Sequence, residues 1–205
     1  MPETLEQPAT NAPPPVRVAW TRADCARFVE QGYLTPGQYE LIEGDILRKM
    51  GQKRPHTAGV GRLFAWCISV FGGDFVQSQG VIDVAPEDNP TSEPEPDVFV
   101  LNRSTEHFTD AFPGPSDLTL VAEVSDTTLA FDLSTKAGLY ARAGIAEYWV
   151  MDVTGRSLTV HRNPQSGRYQ SVTRYAADET VTVAGRPDAP VVVSELLPPL
   201  PPRRG

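Results

Sequence analysis

Asp97, Glu123 and Lys136 are the residues whose types and surroundings could do chemistry. Asp97 follows Pro96 and opens the apolar run Asp97-Val98-Phe99-Val100-Leu101. Glu123 interrupts a second run, Leu118-Thr119-Leu120-Val121-Ala122-Glu123-Val124-Ser125, and Lys136 lies on the helical stretch that follows. An ionised carboxylate inside an apolar strand is expensive unless a cation or a metal compensates it. If the two strands are neighbours, Asp97 and Glu123 converge as oxygen ligands for Mg²⁺ or Mn²⁺. Such an ion would activate water and offset charge on a phosphate, and a nearby lysine would stabilise the transition state. The expected chemistry is metal-assisted hydrolysis of phosphodiester bonds. Each residue also has a plain structural reading: Asp97 as a loop cap, Glu123 as the partner of a buried arginine, Lys136 as a solvated lysine.

The elements that must position these groups follow from spacing. Strand alternation sets Thr119, Val121, Glu123 and Ser125 on one face of their run, and Asp97 on the face of Phe99 and Leu101. A helix is expected over 132–143, stopped by Gly144, with Asp132 at its N-cap rather than as a ligand. There Lys136 and Tyr140, four residues apart, share a face. Upstream, Thr21 and Asp24 form the start of a short helix ended by Gly32. Residues 41–50 read as a strand broken by a hairpin turn at Gly44-Asp45. Helical spacing runs over 57–71 up to Gly72-Gly73. Residues 75–84 have strand composition, 85–95 read as a proline-broken loop, and strands are expected near 147–152, 157–162 and 168–174. Strands on both sides of an intervening helix point to an α/β protein with a mixed sheet.

At 205 residues the chain has length for one domain, expected over 17–198, with Pro-rich tails at 1–16 and 199–205. The net charge of −8 argues against a high-affinity nucleic-acid binder. It does not exclude a metal-dependent nuclease, whose ligands are acidic. Two cysteines without CxxC spacing exclude a disulfide framework or a zinc ribbon and fit a reducing compartment. No signal peptide and no membrane-length apolar run is visible, so the expected location is cytoplasmic. Arg48, Lys49, Lys53, Arg54 and His56 form a local basic patch that could hold a DNA backbone. No aromatic residues are interleaved with these cations, so stacking of a single strand is not indicated. No Gly-rich phosphate loop occurs.

The block Leu120-Val121-Ala122-Glu123-Val124-Ser125-Asp126-Thr127-Thr128, then Asp132, Lys136, Tyr140, Gly144 and Glu147-Tyr148-Trp149-Val150-Met151-Asp152, resembles the Uma-two family. Those are endonucleases of the PD-(D/E)XK, restriction-endonuclease-like superfamily. Tyr39-Glu40-Leu41-Ile42-Glu43-Gly44 and Glu95-Pro96-Asp97-Val98 resemble the family's earlier motifs, so the likeness spans roughly residues 35–165. The resemblance implies a restriction-endonuclease-like mixed β-sheet flanked by helices and a Mg²⁺-dependent DNA endonuclease. By it, Glu43, Asp97 and Glu123 hold metal and His56 matches a recurrent family histidine; Asp97, Glu123 and Lys136 are the expected catalytic residues, and His56, with Lys53 and Arg54 of the basic patch, the expected DNA contacts. The superfamily carries a lysine two residues after the glutamate, where this chain has Ser125; Lys136 is the candidate replacement. Cutting both strands of a duplex would favour a two-fold homodimer. The first rival is a catalytically silent module of the same fold that binds DNA or protein; the second is a metal-dependent hydrolase of small phosphorylated compounds, against which the missing Gly-rich loop counts.

Overall fold

The computed structural model describes residues 16–49 and 53–200. The expected tails fall almost wholly at 1–15 and 201–205, outside the described residues.

A six-stranded mixed sheet carries the molecule, in the order β3 (Val76–Gln77), β4 (Val98–Leu101), β5 (Leu118–Ser125), β6 (Glu147–Asp152), β7 (Ser157–Gln165), β8 (Arg168–Ala176). Only β5 and β6 run parallel; every other neighbouring pair is antiparallel. The parallel step needs a crossover, and the helical stretch between them supplies it. β5 is apolar on both faces because both faces are covered.

On one face lies α2 (Arg54–Phe71), whose Leu63 and Cys67 pack on Val98, Ala122, Val124 and Trp149. Trp66 of this helix stacks on Trp149 at 5.6 Å between ring centroids. A hairpin of β9 (Thr180–Val183) and β10 (Arg186–Val192), with α5 (Val193–Leu196), completes this layer. Glu147 pins that hairpin to the sheet. Its Oε1 accepts from Trp149 Nε1 at 2.7 Å and Arg162 Nη2 at 2.6 Å, and its Oε2 accepts from the Ala184 N–H at 2.7 Å.

The opposite face is covered by the crossover and by the hairpin β1 (Tyr39–Ile42) and β2 (Asp45–Arg48). The crossover comprises α3 (Leu129–Phe131), a π-helical turn (Asp132–Lys136) and α4 (Ala137–Arg142). The first helix, α1 (Arg22–Glu30), starts in the Thr21–Asp24 capping box and ends before Gly32, as its sequence requires. No helix among the described residues is long and apolar enough to cross a membrane.

Two expectations change. The strand expected over 75–84 is reduced to two residues. Gln79 turns the chain with φ +54°, and its N–H reaches the carbonyls of Pro96 and Asp97 instead of continuing a ladder. Asp132 is not an N-cap: the helical chain starts three residues earlier and Asp132 lies buried inside it.

Candidate active site

Asp97 and Glu123 meet because of strand register. Val98 pairs with Ala122 and Val100 with Leu120, so continuing the antiparallel ladder sets Asp97 opposite Glu123. Asp97 Oδ2 accepts the Val124 N–H at 2.8 Å, so the side chain takes the bond that a ladder carbonyl would otherwise take. Glu123 is 5% exposed, on the face of Val121 that packs against the crossover.

Lys136 reaches Glu123 through the π turn. Its Nζ lies 2.8 Å from Glu123 Oε1 and 2.9 Å from Glu40 Oε1. Tyr140, one turn on, donates its hydroxyl to the same Glu123 oxygen at 3.1 Å. The turn is held from both sides. Asp132 Oδ2 accepts from Ser125 Oγ at 2.7 Å and Thr128 Oγ1 at 2.6 Å. The Asp132 carbonyl accepts the Ala137 N–H and, at 3.1 Å, the Tyr148 hydroxyl. Asp132 and Lys136, four residues apart, both lie buried against the sheet, and π turns are frequent at functional sites. Ser125, where the superfamily has lysine, is thus the anchor of the segment that carries Lys136.

Glu40 was not among the expected site residues. It shares a strand face with Ile42 and its Oε1 also accepts the Glu95 N–H at 2.8 Å. Glu43, expected as a metal ligand, is placed elsewhere. It sits in the hairpin turn at φ +49° beside Gly44 at φ +81°, and Arg142 Nη2 binds its carboxylate at 2.6 Å on the surface. A positive-φ pair is the backbone of the tight hairpin turn and points that side chain away from the strand face. Among the described residues no group of three or more His, Cys, Asp or Glu side chains is arranged to hold one metal ion. The trio Glu43, Asp97 and Glu123 is therefore not assembled.

The paired carboxylates open on a cavity of about 260 Å³, whose wall includes Glu40, Lys53, His56, Asp97, Glu123 and Lys136. His56 Nε2 lies 3.3 Å from Asp97 Oδ1 and has no aligned hydrogen-bond partner. Lys53 lies 3.2 Å from Asp126, also on the wall, whereas Arg54 is exposed and not part of it. Of the expected nucleic-acid contacts, two of three reach the cavity.

The electrostatics follow from burial. Burial raises the Glu123 pKa well above the carboxylate range; Lys136 opposes this, and Asp97, Asp132 and Glu40 add to the rise. Burial acts to lower the Lys136 ammonium, but Glu123, Glu40 and Asp132 together hold it above the ordinary lysine value. Lys136 is therefore charged at neutral pH. Asp97 raises the His56 imidazole above its ordinary value despite burial.

A mixed sheet with two acidic strand residues and a lysine at one open end defines a restriction-endonuclease-like α/β protein. The family model described as "Uma2: Putative restriction endonuclease" matches residues 30–192, and the chain belongs to that family. A solved structure, described as a putative nuclease belonging to DUF820 from Anabaena variabilis ATCC 29413, superposes with a TM-score of 0.63. The two chains are 17% identical over 79% of this chain and 90% of that one. At that identity the likeness establishes the fold. No curated protein matches the sequence.

Proposed function

We propose that the protein is a Mg²⁺-dependent endonuclease that hydrolyses phosphodiester bonds in DNA, with Asp97, Glu123 and Lys136 at its centre. The observation that carries this reading is the buried Lys136 ammonium, 2.8 Å from Glu123 on the strand next to Asp97. It restores to the cluster the positive charge that Ser125 cannot supply. Family membership and the nuclease-like fold support the same reading.

The donor set fits Mg²⁺. Asp97 and Glu123 are hard oxygen donors, and Mg²⁺ is commonly bound by one or two carboxylates together with water and substrate phosphate. Glu123 Oε2 has no hydrogen-bond partner among the described residues and stands free for such a role. Bound there, the ion would offset phosphate charge and lower the pKa of an attacking water. The remaining work belongs to the chain. Glu40 and Glu123 fix the Lys136 ammonium, so its charge is aimed in advance at the phosphate oxygens. Tyr140 fixes the Glu123 carboxylate. Val124 fixes Asp97 through its N–H. Lys53 and His56 on the cavity wall provide the contacts for the strand's backbone.

The test is cleavage of a labelled DNA with Mg²⁺, Mn²⁺ or chelator by the wild type, Asp97→Ala and Glu123→Ala. The reading requires metal-dependent cutting that both substitutions remove without unfolding the protein. Binding of DNA without cutting under every condition would instead select the silent module.

A further inference from the structure

We infer that the cavity takes one unpaired nucleotide, so the substrate is single-stranded or frayed DNA rather than a continuous duplex. The inference rests on the phosphodiester reading and specifies its substrate. Two apolar side chains line the cavity among its charged groups: Leu47 from β2 and Phe131 from α3, both half-buried and packed on the core beneath the crossover. They stand 84 residues apart in the chain, so no local pattern of cations and aromatics announces them. The same cavity holds Asp97, Glu123 and Lys136, with Lys53 on its wall. One compartment thus offers charge for a phosphate and an aromatic side chain on its wall for a base.

That pairing has a definite occupant. A stacked duplex presents sugar and phosphate outwards and keeps its bases inside, so it would leave Leu47 and Phe131 facing water. An unpaired nucleotide covers them. Its phosphate meets the charged end while its base lies against Phe131, the arrangement by which single strands are commonly gripped. At about 260 Å³ the cavity lies just under the roughly 300–1,000 Å³ of pockets for drug-sized ligands, so it has room for at most one nucleotide and not for a stack of several. The carboxylates of Glu40 and Glu95 on the wall keep the compartment from retaining a backbone by charge alone. Stacking therefore contributes where the acidic chain cannot.

The experiment measures binding by fluorescence anisotropy in Ca²⁺ with Asp97→Asn, which separates binding from cutting. The probes are a labelled single-stranded oligonucleotide, the same strand with abasic spacers, and its blunt duplex. The full single strand is expected to bind tightest. Phe131→Ala should weaken it roughly 10- to 100-fold, the scale of one lost base stack. Phe131→Trp should retain binding, and neither substitution should change the affinity of the abasic strand. Duplex binding as tight as that of the single strand, or an abasic strand bound as well as the full one, overturns the inference. Those outcomes leave the nuclease reading intact. Absence of cutting on every DNA by the wild type removes that reading instead, and is read in a separate assay.

Discussion

Replacing Lys136 by alanine tests the ion triad at the heart of the site. The side chain is 5% exposed and its ammonium lies 2.8 and 2.9 Å from two buried carboxylates. Removing one member of a buried ion pair typically destabilises by about 3–5 kcal/mol, because the partner charges stay buried and uncompensated. For a chain of this size about 2–4 °C of melting temperature follows each kcal/mol. Lys136→Ala should therefore melt roughly 6–20 °C below the wild type at neutral pH. The deficit should depend on pH. In the wild type the raised Lys136 pKa contributes stability that is complete below the ordinary lysine value of about 10.4 and lost only above it. In the wild type Lys136 offsets part of the burial, Asp97, Asp132 and Glu40 that raise Glu123; the variant lacks this offset, so its Glu123 is raised further. Its folded form then holds a proton that the unfolded chain releases near pH 4.3, so stability falls as pH climbs from there towards the raised value. Thermal melts followed by circular dichroism at pH 5, 6, 7 and 8 should show the deficit widening with pH. A deficit under about 1 kcal/mol, or one that is flat across that range, would refute the reasoning.

Three further outcomes follow. Glu40→Gln keeps an acceptor for the Glu95 N–H but removes the second charge on Lys136, and should lower the cleavage rate about 10- to 100-fold, the scale for lost supporting contacts at metal sites; steady-state kinetics on a fluorogenic oligonucleotide read it. Glu43→Ala should leave cleavage unchanged and shift stability by less than about 1 kcal/mol in urea melts, since it ends only a surface pair with Arg142. Glu147→Ala strips the partner from Arg162, Trp149 and the Ala184 N–H, and should cost about 3–5 kcal/mol in the same melts.

Much of this architecture was legible because its signals are local. Thr21 and Asp24 define a capping box, Gly144 ends the crossover, and the alternation in 118–125 gives both β5 and the face of Glu123. What escaped depends on contacts distant in sequence or on competing local signals. Glu40 and Glu43 are three residues apart, and the family motif drew attention to Glu43, whereas Glu40 is the one whose carboxylate reaches Lys136. The hairpin turn, expected at Gly44-Asp45, falls one residue earlier at Glu43-Gly44, which takes Glu43 out of the strand, while β1 begins at Tyr39, ahead of the expected start at Leu41, and so includes Glu40. The hairpin of β9 and β10 was missed because Pro187 and Pro190 speak against a strand; β10 accommodates them with an irregular register between Arg186 and Val191. The π turn leaves no pattern of its own, because Lys136 and Tyr140 satisfy helical spacing whether or not a residue is inserted before them. Phe131 joined the cavity wall only through folding.

The π turn also bears on how such a protein can change over generations. A π turn is, in effect, an α-helix with one residue added, and each residue of an α-helix turns the chain by about 100°. Loss of a single codon between Asp132 and Lys136 would let the crossover wind as plain α-helix and leave the sheet untouched. Asp132 and Lys136 would then stand three residues apart, and the Ser125 and Glu123 contacts could be kept together only with a shift of the helix. One in-frame deletion thus tests whether the fold tolerates a plain α-helical crossover while the Asp132 and Lys136 contacts change.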